Sequence, residues 1–161
     1  MIIERRVSGL LILATLGGAL FLALLPLPDA LSAIRPAIYP ATVLFWVLMQ
    51  PASFGLLAAW ACGILIDVIY GTPLGEHGLA LAIAGYAVIR MRELLWTLPI
   101  WQQGILLLPV FILYEFALFW IDGVAGAEVN QWWRWLPVAT TTVVWPFWAS
   151  LLERIAELEV G

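Results

Sequence analysis

Residues 36–66 run for 31 positions without a charged side chain, and residues 7–25 for another 19. Runs of this kind stay out of water only if a core or a bilayer covers them. A chain of 161 residues with 64% hydrophobic and 11% charged residues has too few polar side chains to clothe such a core. The same composition excludes disorder, which requires low hydrophobicity and high charge density. The expected solvent is therefore lipid, and the expected fold is an all-α polytopic bundle, because a helix satisfies its own backbone polar groups in hydrocarbon. At about 20 residues per crossing, the chain holds about six spans and no separate soluble domain.

Prolines, glycines and charges divide the chain into one integral membrane domain, 1–161, with spans near 7–25, 36–49, 53–70, 73–89, 104–121 and 136–152. The first lacks the small-residue cleavage site of a signal peptide and is expected to remain. Pro26, Pro28, Pro36 and Pro40 end it, because residues before proline leave the α region. The second is short, about 21 Å against a hydrocarbon core of about 30 Å, and needs irregular backbone or an inward dip to complete it. After Gln50-Pro51, Ser53 is the expected N-cap of the third span, and Gly71 its stop. Thr72-Pro73 reads as the cap and first position of the fourth, with Glu76 in its first turn and Arg90, Arg92 and Glu93 at its exit. Residues 98–103 read as an interfacial segment anchored by Trp101. With the N-terminus inside, Arg5, Arg6, Arg90, Arg92 and Arg154 fall inside and Arg35 and Arg134 outside. That is the positive-inside pattern and places both termini in the cytoplasm.

The candidate chemistry is sparse. Gly55, Ala59, Gly63 and Asp67 recur every four residues, so three small residues and a carboxylate share one helix face, on which another helix can pack closely. The fourth span, with Gly78, Ala82 and Gly85 on one side and Ala80 and Ala84 on another, is the expected neighbour. Asp67 sits where the helix dipole repels an anion and needs a partner. The N–H groups that open the fourth span, His77, or an outer arginine could supply it. If Asp67 is a hydrogen-bond acceptor, Asp67→Asn is expected to be mild, because the amide oxygen still accepts. Glu115, in the middle of the fifth span, costs several kcal/mol if ionised and unpaired. No arginine is expected at its depth, and Thr140, Thr141 and Thr142 are its possible partners.

Several activities lack their residues. The seven basic residues are scattered arginines, which make no footprint for nucleic acid. Without lysine there is no phosphate-binding G-x-x-x-x-G-K loop. The serines lack a His and acid arrangement for nucleophilic catalysis. Cys62 reads as a small packing residue, and His77 with Glu76 makes too small a set for a metal site, so no metal or other cofactor is expected.

The stretch Gly63-Ile64-Leu65-Ile66-Asp67-Val68-Ile69-Tyr70-Gly71-Thr72-Pro73-Leu74-Gly75-Glu76-His77-Gly78-Leu79 resembles the most recognisable segment of the bacterial rod-shape-determining MreD family. Phe45-Trp46-Val47-Leu48-Met49-Gln50-Pro51, Trp101-Gln102-Gln103, Phe119-Trp120 and Trp145-Pro146-Phe147 follow in the family's order and spacing. The resemblance implies a non-enzymatic inner-membrane scaffold of the complex that directs side-wall peptidoglycan synthesis. It implies MreC as direct partner, with MreB, RodZ, RodA and a penicillin-binding transpeptidase reached through the complex. It also implies a fold similar to the substrate-binding subunits of energy-coupling-factor transporters. The matching positions, Gly63, Asp67, Gly71, Gly75, Trp101, Gln102 and Gln103, together with Gly55, Ala59 and Glu115, are the candidates for helix packing or partner binding. The competing reading is a membrane small-molecule-binding or transport subunit with Asp67 and Glu115 lining a cavity. A third, an enzyme acting on lipid-linked substrates, needs a second acid or base beside one of them.

Overall fold

The structure is a computed structural model that describes residues 7–126 and 132–160. Among them there is no strand. The chain forms α1 (Gly9–Leu24), a single turn α2 (Asp29–Ser32), α3 (Ile38–Met49), α4 (Leu56–Tyr70), α5 (Glu76–Thr97) and α6 (Ile100–Ala125). A 3-10 turn (Trp132–Trp135) then leads into α7 (Leu136–Val160).

The short second span becomes the centre of the bundle. Every residue of α3 from Tyr39 to Leu48 is buried, as expected of a helix that is apolar all round. Hydrogen bonds tie it to four neighbours. Trp46 Nε1 donates to Thr15 Oγ1 on α1 at 2.9 Å, and the Tyr39 hydroxyl to the Cys62 carbonyl on α4 at 3.0 Å. Arg92 Nε on α5 donates to the Leu48 carbonyl at 3.0 Å, and Trp148 Nε1 on α7 to Thr42 Oγ1 at 2.8 Å. The Ala37 N–H, just before α3, donates to Thr141 Oγ1 at 2.8 Å. At about 18 Å the helix is shorter than a membrane core, but it is surrounded by protein, where irregular backbone at its ends is tolerated.

Four boundaries differ from expectation. Ser53 caps nothing: the Ser53 and Phe54 N–H groups both return to the Gln50 carbonyl, and α4 opens after Gly55. Thr72 does not cap α5, which begins at Glu76 behind Gly75. Arg90, Arg92 and Glu93 lie within α5, which runs on to Thr97, because Arg and Glu are good helix formers and no breaker intervenes before Pro99. Trp101, Gln102 and Gln103 form the first turn of α6, with the Gln102 and Gln103 N–H groups on the Pro99 carbonyl.

The most extensive helix contact is between α4 and α5, followed by α5 with α6 and α6 with α7. In the α6–α7 contact, Pro146 lacks the N–H that would meet the Thr142 carbonyl in the turn before it. There α6 approaches through Gly104, where a Cβ would come 2.9 Å from that carbonyl oxygen. At the ends of the bundle, the Ser8 N–H donates to Glu159 Oε2 at 3.0 Å, so the start of α1 and the end of α7 share one end. The Arg35 guanidinium donates to the Ala23 and Leu25 carbonyls and closes the C-terminal end of α1 at the other.

The exterior is apolar. Leu10, Leu13, Leu57, Val68, Trp120, Val143 and Phe147 point outward. Both α6 and the segment Trp132–Glu159 are long and apolar enough to cross a membrane, and less than half of either apolar stretch is covered by protein. A core helix of a water-soluble domain would be mostly covered, whereas a lipid-facing helix is not.

Candidate functional site

The polar side chains gather where α4 ends, α5 begins, and α6 approaches α7. Asp67, three residues before the end of α4, is fully buried. Its Oδ1 accepts from Thr72 Oγ1 at 3.0 Å, the His77 N–H at 3.0 Å and His77 Nδ1 at 2.7 Å. Its Oδ2 accepts from the Gly75 N–H at 2.9 Å and, more weakly, the Gly78 N–H at 3.5 Å. The free N–H groups that open a helix carry partial positive charge, so the carboxylate is repelled by its own helix and held by the next. The turn between them needs left-handed backbone twice, at Gly71 with φ 69° and at Gly75 with φ 99°. The His77 ring also meets Tyr70 and Tyr114, at 5.9 and 6.5 Å between centroids.

The small-residue face brings the two helices into backbone contact. Ala59 and Gly63 are buried along with Asp67, while Gly55, at the cap, is partly covered. A Cβ at Gly63 would stand 2.4 Å from the Gly78 Cα and N. On α5 the covered face is Gly78, Leu81, Ala84, Gly85 and Val88, with Ala80; Ala82 is only partly covered.

Glu115 differs from expectation. The difference is not in its depth, about 4 Å from the midpoint of α6, but in the cation beside it. Arg134, in the 3-10 turn, reaches it: Nε lies 2.9 Å from Glu115 Oε1, and a terminal guanidinium nitrogen 2.5 Å from Asp122 Oδ2. The threonines are engaged elsewhere. The Thr140, Thr141 and Thr142 hydroxyls donate to carbonyls of their own helix, at Leu136 and Pro137, at Pro137, and at Val138.

Asp67 and Glu115 thus join one polar cluster, with Gly71 and Gly75 in its turn. Trp101, Gln102 and Gln103 do not, since they stand at the opposite end of α6, about 30 Å along the helix from Asp122. There Trp101 is exposed, and Gln103 Nε2 donates to the Leu98 carbonyl at 3.2 Å. Sequence reasoning did not place Asp122 in the site, and offered Arg134 only as one of two outer arginines that could meet Asp67, not as the partner of Glu115. The spacing of Glu115 and Asp122, seven residues and two turns apart on one face of α6, was the available signal.

Fold and cluster together define a polytopic helical membrane protein whose buried polar side chains tie helix to helix. The family model described as rod shape-determining protein MreD matches residues 4–155, and the chain belongs to that family of membrane proteins, with its role in rod shape. The rod shape-determining protein MreD of Haemophilus influenzae is 26% identical over 136 residues, which cover 84% of this chain and 83% of that one. No solved structure matches the chain, so the expected likeness to energy-coupling-factor subunits has no structural support.

Proposed function

We propose that the chain is a non-enzymatic scaffold of the bacterial inner membrane that binds MreC by helix packing and so helps to direct side-wall peptidoglycan synthesis. MreB, RodZ, RodA and a penicillin-binding transpeptidase connect to it through the complex. The observation that carries this reading is how the buried ionisable groups are used. Asp67 holds α4 to α5, and Arg134 joins the start of α7 to α6 through Glu115 and Asp122. Groups so engaged stiffen a body that presents apolar helix faces, which suits docking in lipid better than chemistry. A cavity of about 490 Å³ between α1 and α7 is lined by residues such as Leu11, Gly18, Leu22 and Trp148.

Orientation follows from charge. Arg90, Arg92 and Arg154 lie toward the end shared by Ser8 and Glu159, and Arg35 and Arg134 toward the other, a distribution that supports a cytoplasmic first end by the positive-inside rule. The test is mass spectrometry of whatever stays bound when the tagged protein is purified from native membranes in mild detergent. Near-stoichiometric MreC is the expected result. Recovery without MreC, but with a defined small molecule or an ATPase module, overturns the scaffold.

A further inference from the structure

Helix α1 packs on α3, and α7 on α6 and α3, but α1 and α7 make no extensive contact with each other. The Ser8–Glu159 bond joins them at one end, and the Arg35 guanidinium marks the other. The cavity of about 490 Å³ between them is lined from Leu11 to Leu22 on α1 and from Trp148 to Ile155 on α7. Only two of its lining side chains carry polar atoms, and both are engaged. Thr15 Oγ1 donates to the Ile12 carbonyl and accepts from Trp46 Nε1, and Trp148 Nε1 donates to Thr42 Oγ1. An occupant meets a hydrocarbon wall.

Size decides between the two apolar occupants that a bilayer offers, a helix and a lipid chain. Spread over the about 17 Å of α1 from Leu11 to Leu22, the volume gives a cross-section of about 30 Å². A helix about 10 Å across needs about 80 Å², whereas a hydrocarbon chain with neighbours at about 4 Å takes about 20 Å². The length agrees, because one chain of one leaflet covers about 15 Å, half of a core about 30 Å thick. Charge selects the leaflet. Leu22 adjoins Ala23, whose carbonyl, with that of Leu25, accepts from the Arg35 guanidinium. Among the described residues that guanidinium meets no carboxylate, and it has N–H groups left for an anion. At the opposite end the exposed Glu157 and Glu159 carboxylates repel one.

We propose that this groove is a phospholipid site, in which one acyl chain lies between α1 and α7 from Leu22 toward Leu11 and the headgroup phosphate meets Arg35. The chain supplies the contact that the two helices do not make with each other. Gly18 leaves the room for it. A Cβ at Gly18 meets nothing within 4 Å, so a larger side chain there fills the groove without striking protein. At Gly17 a Cβ is equally free, but Gly17 lies outside the groove lining, because successive helix residues point about 100° apart. The two glycines therefore form a matched pair, one in the site and one beside it.

The experiment is native mass spectrometry and thermal unfolding of the full-length protein in mild detergent with added dioleoyl phosphatidylglycerol. The wild type and Gly17→Leu are expected to retain one phosphatidylglycerol alike. Gly18→Leu is expected to retain it several-fold less, while unfolding without lipid at the wild-type temperature. Ala14→Leu, which fills the same groove one turn away, is expected to act as Gly18→Leu does. Arg35→Gln is expected to weaken retention of phosphatidylglycerol but not of dioleoylglycerol, which has the same chains and no phosphate. Equal retention by Gly17→Leu, Gly18→Leu and Ala14→Leu overturns the site, since lipid bound anywhere on the exterior gives that result. Equal loss of both lipids in Arg35→Gln overturns the phosphate contact. If the groove variants keep the lipid but shed MreC or a second copy of the chain during purification from native membranes, the groove is a helix dock and the proposal falls.

Discussion

The Asp67 carboxylate and the His77 backbone N–H, ten residues apart, meet at 3.0 Å, and the same oxygen takes the His77 ring Nδ1 at 2.7 Å. The start of α5 is thereby closed by its neighbour, since Gly75 at its own cap position offers no side chain. The end of α4, the glycine turn and the start of α5 form one unit.

Because both Asp67 oxygens accept hydrogen bonds, Asp67→Asn is not the mild change that the sequence suggested. One oxygen becomes an NH₂ donor aimed either at the Gly75 N–H or at His77, donor against donor. Asp67→Asn and Asp67→Ala are both expected to lower stability by about 3 kcal/mol, and His77→Ala by about 1 kcal/mol. Thermal unfolding in detergent ranks the three, and an Asn variant as stable as wild type would disprove the geometry.

At Gly63 any side chain meets the backbone of Gly78, whereas a Cβ at Gly78 meets the movable side chains of Ile64, at 3.0 Å, and Trp60, at 3.3 Å. Gly63→Ala is expected to cost about 1–3 kcal/mol, and Gly63→Leu to prevent accumulation in the membrane. Gly78→Ala should be milder than Gly63→Ala. Immunoblots of membrane fractions and unfolding temperatures test the order, and equal effects at the two glycines would remove the close approach from the account.

Arg134→Gln leaves the Glu115 and Asp122 carboxylates without their cation and is expected to destabilise more than Glu115→Gln. The Glu115→Gln/Arg134→Gln double variant should recover part of the loss, with a coupling energy of about 1–3 kcal/mol. A double-mutant cycle of unfolding free energies measures this. Strict additivity would mean that the 2.9 Å pair does not act as a pair.

In a cysteine-free Cys62→Ala background, Leu74→Cys, in the exposed glycine turn, is expected to react with a membrane-impermeant maleimide on intact cells whose outer membrane has been permeabilised. Leu158→Cys, exposed near the end of α7, should react only after the inner membrane is opened. The reverse pattern would invert the proposed orientation.

Much of this was legible in the order of residues, for definite reasons. Small residues every four positions mark a helix face that meets another backbone, and the α4–α5 contact at Gly63 is that face. A buried carboxylate must find donors, and the nearest free backbone ones to Asp67 were the N–H groups eight to eleven residues on. The Arg134–Glu115 pair was not legible, because it depends on how far α6 continues and on where the next turn sets a guanidinium, 19 residues away.

By itself, then, the sequence determined the solvent, the helical class, the number of long helices and the face on which α4 and α5 meet. Charge scarcity, proline and glycine positions and small-residue spacing are local signals that survive in any packing. Only the tertiary structure decided that α3 is the buried centre and which carboxylates share a cation. In lipid the outside of a bundle is as apolar as its core, so hydrophobic periodicity carries no record of which face turns inward, and the ends of a polar contact are joined only when the helices pack.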